Sequence, residues 1–106
     1  DVYKRQMQSM TVEILPIAQD DVDQALAYIA ADNLPAANGL LADILEKLDQ
    51  ASRFPYSGTE IVLGTRRVRK YYRLYAHPYY IFYKIMADRV LVMRVLHERM
   101  DTKKYL

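Results

Sequence analysis

Apolar residues between positions 11 and 48 recur with two different periods. In the segment TVEILP, Val12 and Ile14 alternate with polar neighbours, which predicts a short strand that Pro16 ends. The next apolar residues recur every three or four positions, which is the period of a helix face. They are Val22, Ala25, Leu26 and Ile29, followed by Ala37, Leu40, Leu41, Ile44, Leu45 and Leu48. The intervening ADNLP offers capping residues and a proline for a new first turn, so the pattern predicts a helical hairpin.

Two further features of the predicted helices suggest local roles. Asp20, Asp21 and Asp23 surround the first apolar position of the first helix, and we expect them in its first turn, where the helix dipole favours carboxylates. Gly39 lies inside the second helix, where glycine costs about 0.5–1 kcal/mol relative to alanine. We therefore expect Gly39 to mark a close approach of the two helices.

After IVLGT, which leads the chain towards a sheet, the apolar period changes to two. The segment Arg67–Tyr75 predicts a strand, Pro78 marks a turn, and Tyr79–Met86 and Val90–Leu96 predict two more strands. We expect core positions for Tyr79, Ile81, Phe82 and Tyr83. The sequence predicts an α+β domain: an N-terminal strand, a two-helix hairpin and a three-stranded antiparallel meander, with the helices packed on one sheet face.

Two sets of side chains alternate at the first strand of this meander. One set is Val68, Lys70, Tyr72 and Leu74, and the other is Arg67, Arg69, Tyr71, Arg73 and Tyr75. If the first set faces the helices, the arginines lie on the open face, where guanidinium groups bind phosphates and tyrosine rings stack on bases. A solvated strand face with tyrosines as ordinary strand formers explains the same pattern. Both interpretations stay open at this point.

The charges are distributed unevenly although the net charge is only +2. Residues 11–60 carry nine acidic and two basic side chains, a balance of −7, whereas residues 61–106 carry eleven basic and three acidic ones, a balance of +8. Such asymmetry indicates that the basic half has an electrostatic role, so it is a candidate surface for an anionic partner.

Length and composition restrict the class of protein. A chain of 106 residues with 52% apolar residues forms one domain with a real core. The polar start, DVYKRQ, lacks the apolar run of a signal peptide. We interpret residues 1–9 as a non-native or disordered leader, with Met7 or Met10 as the native first residue, and residues 10–106 as the domain. No apolar run is long enough to span a membrane, and the absence of cysteine fits the cytoplasm.

The last third of the chain contains candidate catalytic residues, but the sequence evidence for catalysis is weak. Metal-free RNA cleavage needs a base, an acid and cations around one phosphate. His97 is the candidate acid or base by its pKa range. The other candidates are Arg73, Arg94 and Arg99 for charge, and Tyr105 as a second proton donor. Arg94 and His97 are three positions apart, so a regular strand places their side chains on opposite faces. A structural or partner-binding role for His97 is an equal alternative. Neither His77 nor His97 has carboxylates at ligand spacing, so we expect no metal and no cofactor.

Four segments, in this order, carry a resemblance that covers Thr11–Leu106. They are a helix with ALAYIAADNLPAA, a Leu/Ile-rich helix closing with RFPYSG, the strand YYIFY, and the end VLVMRVLHERMDTKKYL. The pattern R-x-L-H-x-R-x-D after the final strand is the most specific of them. Together they resemble the RelE/ParE superfamily of bacterial toxins from type II toxin–antitoxin modules.

The resemblance implies a small cytoplasmic toxin that a cognate antitoxin wraps and inactivates. The complex represses its operon through the antitoxin's DNA-binding part, so the toxin meets operator DNA only indirectly. ParE-like members inhibit DNA gyrase, and RelE-like members are ribosome-dependent mRNA endonucleases. DNLPAA and LHERMD are similar to the ParE branch, and Tyr71 stands where the nuclease pattern has a lysine. Tyr79-Tyr80 also replaces an arginine that many nucleases have.

The resemblance therefore favours a plasmid-stabilization toxin that inhibits gyrase and is not an enzyme. The alternatives are a metal-independent mRNA endonuclease acting with the ribosome, and an inactive remnant that only binds its antitoxin. The residues expected to contact the antitoxin or the target are Arg67, Arg69, Tyr71, Arg73, His97 and Arg99.

Overall fold

The computed structural model describes residues 9–106, so the predicted leader lies outside the described residues apart from Ser9. Five strands and three α-helices follow one another in the described part. They are β1 (Thr11–Ile14), α1 (Pro16–Ala30), α2 (Leu34–Arg53), β2 (Thr59–Leu63), β3 (Arg69–Ala76), β4 (Tyr79–Ile85), β5 (Arg89–His97) and α3 (Thr102–Tyr105), with a short 3₁₀ turn at Pro55–Ser57.

The strands form one sheet in the order β1-β5-β4-β3-β2. β1 runs parallel to β5, and all other neighbours are antiparallel. The predicted α+β class, with its first strand, helical hairpin and antiparallel meander, is confirmed. The meander has four strands rather than three, because Thr59–Leu63 pairs with β3 as the outermost strand. An edge strand contacts few other residues, so its sequence carries only a weak apolar pattern.

The helical hairpin packs on one face of the sheet, as the alternation predicts. The core joins Ala18, Val22, Ala25, Leu40, Ile44 and Ala51 of the helices to Leu74, Ala76, Ile81, Tyr83, Val90, Val92 and Val95 of the strands. Side chains of opposite parity, including Arg69 and Arg73, lie on the other face, which we call the open face. Phe82 is fully buried, yet its parity places it on the open face rather than against the helices.

Two expectations about the helices are wrong. α1 begins at Pro16, whose fixed φ and missing N–H suit a first turn, so Asp20 and its neighbours lie beyond that turn. A Cβ built at Gly39 meets no atom within 4 Å, so this glycine marks no close approach. The predicted capping of α2 is confirmed, because the Asn33 side chain accepts a hydrogen bond of 3.0 Å from the Ala36 N–H.

The third strand starts later than the alternation predicts. Gly64 has φ of +88°, a conformation that favours glycine, and the chain stays irregular until Arg69. Arg67 and Val68 therefore lie in an exposed loop, and the predicted core position of Val68 is wrong. The open-face arginine row is limited to Arg69 and Arg73. None of the helices within residues 9–106 is long and apolar enough to cross a membrane.

Candidate functional site

The open face carries a cluster of aromatic rings and one guanidinium group. The Arg73 guanidinium lies 4.1 Å from the centroid of the Tyr80 ring, and the Tyr80 and Tyr75 centroids are 4.8 Å apart. Register explains this arrangement, because Tyr75 pairs with Tyr80 and Arg73 pairs with Phe82 across β3 and β4. We call Arg73, Tyr75 and Tyr80 the open-face cluster. Tyr75 is exposed and Tyr80 is half-buried. A cation beside such rings attracts anionic and planar groups of a partner.

A hydrogen-bonded relay adjoins this cluster at the turn between β3 and β4. The Tyr75 hydroxyl donates to Glu98 Oε1 at 2.9 Å and lies 2.6 Å from His77 Nδ1. Because the phenol has one hydrogen and Glu98 accepts it, Nδ1 of His77 is the donor to Tyr75. Removal from water raises the pKa of Tyr75, and the Glu98 carboxylate raises it further. The relay holds Tyr75 protonated and joins the turn to the chain after β5.

Arg94 has a structural partner. Its Nε and Nη2 donate to the two oxygens of Asp21 at 2.7 and 2.9 Å, and the Val95 N–H donates to the same carboxylate at 3.0 Å. Hydrogen bonding to Asp21 raises the pKa of Arg94, although burial acts against it. Arg94 Nη1 donates to the Tyr105 carbonyl at 3.3 Å, and the Tyr105 ring lies 5.5 Å from the guanidinium. The Arg94 guanidinium is therefore held by Asp21 and by the Tyr105 carbonyl, and the Tyr105 ring lies beside it.

His97 lies on the helix side of the sheet. Its ring packs edge-on against Tyr79, with centroids 5.3 Å apart, and its Nδ1 accepts a hydrogen bond of 3.1 Å from the Arg99 N–H. A β-bulge shifts the register between Phe82, which pairs with Arg94, and Tyr83, which pairs with Val92. The bulge therefore falls before Arg94 in β5, and the side chains alternate regularly from Arg94 to His97. The ring borders a surface groove of about 380 Å³ between α1 and the end of β5. We call this groove, which includes Tyr28, Tyr79, His97, Arg99 and Met100, the His97 groove.

The candidate residues therefore separate into several places. Arg69 and Arg73 share the open face, whereas His97 and Arg99 belong to the His97 groove on the helix side. Tyr71 is only 3% exposed, so its ring offers almost no contact surface. It borders a small hollow together with Leu15, Ile17, Met93, Tyr105 and Leu106. Arg69 Nη1 also donates to the Leu106 carbonyl at 2.5 Å. The set predicted for RNA cleavage is not brought together.

Sequence reasoning missed Tyr80, Glu98 and Asp21. The parity of Tyr80 relative to Tyr75 was a usable signal, because the β3–β4 turn sets the register. Asp21 and Glu98 had no local signal, since their partners are distant in sequence. Within residues 9–106, no three His, Asp or Glu side chains are grouped as metal ligands.

Comparisons with known proteins agree with this fold. A family model described as "ParE toxin of type II toxin-antitoxin system, parDE" matches residues 12–102. The fold is similar to a solved structure described as "Chromosomal ParDE TA system from P. aeruginosa", with a TM-score of 0.66 and 15% identity. That similarity covers 87% of this chain and 97% of the other chain, and at this identity it shows the fold alone. No curated protein matches the sequence significantly.

Proposed function

The chain belongs to the family of ParE toxins of type II toxin–antitoxin systems, and from this premise we propose that it stops bacterial growth by inhibiting DNA gyrase. The predicted membership of the RelE/ParE superfamily, in its ParE branch, is confirmed. Family membership also makes an antitoxin its expected partner. On this proposal the protein acts in the cytoplasm and has no catalytic activity of its own.

We propose gyrase rather than mRNA as the target because the candidate catalytic groups lie apart from one another. Arg73 lies on the open face and His97 on the helix side, so no single phosphate reaches both. The Arg94 guanidinium forms an ion pair with the Asp21 carboxylate. Metal-free cleavage needs an acid, a base and a cation around one phosphate, and this separation argues against it.

The open-face cluster is the surface that we propose for the target. Arg73 and Tyr80 form a compact pair of cation and ring, and the Tyr75–Glu98 hydrogen bond fixes the neighbouring ring. Arg and Tyr are residues in which interfaces concentrate binding energy. Arg67 and Arg69 extend the positive charge towards the sheet edge, whereas His97 and Arg99 belong to a second surface.

Induced expression in bacteria tests the target. We expect SOS induction and DNA breaks in the cell, and loss of supercoiling by gyrase with the purified protein. The double variant Arg73→Gln/Tyr80→Ala should lose both effects. Arg53→Gln is the matched control, because Arg53 is an exposed arginine at the end of α2. mRNA cleaved in the ribosomal A site with supercoiling unaffected would contradict the proposal in favour of an endonuclease, and unimpaired growth would indicate an inactive antitoxin-binding remnant.

A further inference from the structure

A hollow of about 440 Å³ lies on the open face where β2 passes into β3. The residues that border it are Val62, Leu63, Gly64, Thr65, Arg69 and Lys103, so its two charged residues are both cations. Leu63 pairs with Arg69 across the two strands, which places both side chains on the open face. We call this hollow the basic hollow.

The nearest carboxylates have other partners. Glu60 Oε2 lies 3.7 Å from Lys70 Nζ, and Glu60 pairs with Tyr72, whose side chain packs against the core on the helix side. The Asp101 side chain accepts a hydrogen bond of 3.1 Å from the Lys103 N–H. Within residues 9–106, no carboxylate borders the basic hollow. Its positive charge is therefore left for an external anion.

Two more arginines lie beside the hollow. Arg66 and Arg67 belong to the exposed loop that joins β2 to β3. No ion pair in the described part of the chain involves these two arginines, Arg69 or Lys103. Arg69 Nη1 donates to the Leu106 carbonyl, a contact that holds the guanidinium in place. Four positive charges on one small surface repel one another, and a polyanion removes that repulsion.

The loop also offers main-chain donors. Gly64 has φ of +88°, and a Cβ on it would collide with the Arg67 carbonyl, so only glycine closes the loop this tightly. The N–H groups of Thr65, Arg66 and Arg67 donate to no main-chain carbonyl in residues 9–106. Free consecutive amides beside cations are the donors with which proteins bind phosphate groups.

This surface suits a nucleic acid better than a protein segment. Binding energy in protein interfaces concentrates in pockets for aromatic and large apolar side chains, and the basic hollow has only Val62 and Leu63 as apolar walls. Contacts to a nucleic-acid backbone come instead from arginine, lysine and main-chain N–H groups. Gyrase, the proposed target, holds duplex DNA, so DNA is present where the toxin acts.

We propose that the basic hollow and the adjoining loop bind the phosphate backbone of duplex DNA. The toxin then contacts gyrase through the open-face cluster and the DNA that gyrase holds through this second site. We expect no dependence on base sequence, because phosphate contacts carry none. The choice of duplex DNA over other polyanions rests on the proposed function.

Fluorescence anisotropy of a short labelled DNA duplex, titrated with the full chain in the absence of gyrase, tests the inference. We expect the affinity to fall steeply as salt rises, because each phosphate contact releases counterions. Arg66→Gln/Lys103→Gln should raise Kd about tenfold or more at low salt. It should also reduce the slope of log K against log salt by roughly two, since each lost contact removes about 0.9.

Lys47→Gln/Arg53→Gln is the matched control, because it removes the same charge from α2, away from the basic hollow. It should leave the salt slope unchanged and Kd within about twofold of the original. Thermal unfolding confirms that both double variants fold. Equal losses of affinity in the two variants would assign the binding to net charge and overturn the inference.

Two competitors and a supercoiling assay complete the test. Tighter binding of polyglutamate or of duplex RNA than of duplex DNA would identify a different class of partner and overturn the inference. A toxin that binds no DNA and still inhibits supercoiling would also overturn it, with the proposed function left standing. DNA binding through Arg66 and Lys103 without inhibition of gyrase would support the site and contradict the proposed function.

Discussion

Asp21 links three parts of the molecule through one carboxylate. It extends from α1 to the Arg94 guanidinium and the Val95 N–H of β5, and Arg94 continues to the Tyr105 carbonyl. The Asp21 and Arg94 side chains are only 14% and 16% exposed. A largely buried ion pair is weak evidence for net stabilisation, but removing one partner leaves the other charge uncompensated. We therefore expect Asp21 to be essential to the fold rather than to catalysis.

Asp21→Ala should lower the free energy of unfolding by about 2–4 kcal/mol, because it leaves Nε and Nη2 of Arg94 and the Val95 N–H without their acceptor. Urea unfolding at neutral pH measures this change. Asp20→Ala is the matched control, since Asp20 is the exposed neighbour in the same helix. Similar losses in the two variants would show that the carboxylate does not hold the helix to β5.

Tyr83 is the residue with which pH dependence can be tested. Its ring is fully buried, and its hydroxyl donates to the Pro55 carbonyl at 2.6 Å. Burial raises the pKa of Tyr83 above the ordinary 10.0, and the Gly58 N–H partly opposes this change. Below pH 10 the phenol is protonated in both states. Above pH 10 the unfolded chain ionises first, so stability falls as pH rises towards the folded-state pKa.

Tyr83→Phe should cost about 1–2 kcal/mol at neutral pH, because it leaves the Pro55 carbonyl without its hydrogen-bond donor. The variant should also lose less stability than the original protein as pH rises through 10. Urea unfolding across the alkaline range measures both effects. Tyr28→Phe, at an exposed tyrosine, should follow the original protein. Parallel stability curves for Tyr83→Phe and the original would exclude Tyr83 as the source of the alkaline loss.

At the scale of elements, the start of β2 is positioned by contacts with other strands. A Cβ at Gly58 would lie 2.5 Å from the Tyr83 hydroxyl and 2.8 Å from the Arg73 carbonyl. Only a residue without a side chain allows β2 to approach β3 and β4 here. Alternation in the sequence could not predict this strand, because its place depends on a close approach rather than on an apolar face.

Two glycine substitutions should have opposite signs. Gly39→Ala in α2 should raise the free energy of unfolding by about 0.5–1 kcal/mol, because it restores helix propensity where nothing lies within 4 Å. Gly58→Ala should lower it, because the added methyl group has to displace the Arg73 carbonyl or the Tyr83 hydroxyl. Thermal unfolding measures both shifts. A stabilised Gly58→Ala variant would mean that the turn adjusts freely.

The whole molecule is electrostatically polarised. The acidic half of the sequence contributes the helical hairpin, and the basic half contributes most of the sheet. Arg69 and Arg73 lie on the open face, and Arg67 lies in the exposed loop between β2 and β3. The field of such a surface speeds the approach of an acidic partner and is screened by salt.

Arg67→Gln/Arg73→Gln should slow association with the antitoxin by about tenfold at low salt and much less at high salt. Arg69 is left intact because it holds the Leu106 carbonyl. Lys47→Gln/Arg53→Gln removes the same charge from α2 and serves as the control. Stopped-flow mixing measures the association rates. An effect that does not depend on salt would exclude electrostatic steering by this surface.

The sequence by itself determined the first strand, the helical hairpin, three of the four strands of the meander, the faces of those strands and the family. Helical and alternating periods set the direction of each side chain locally, so Leu74 and Arg73 could be placed on opposite faces before the fold was known. The tertiary structure alone decided which distant groups meet. The Asp21–Arg94 pair spans 73 residues, and the burial of Tyr71 and the unpaired edge of β2 depend on neighbours from other parts of the chain. Local periodicity carries no information about such contacts, because they form only when the whole sheet is assembled.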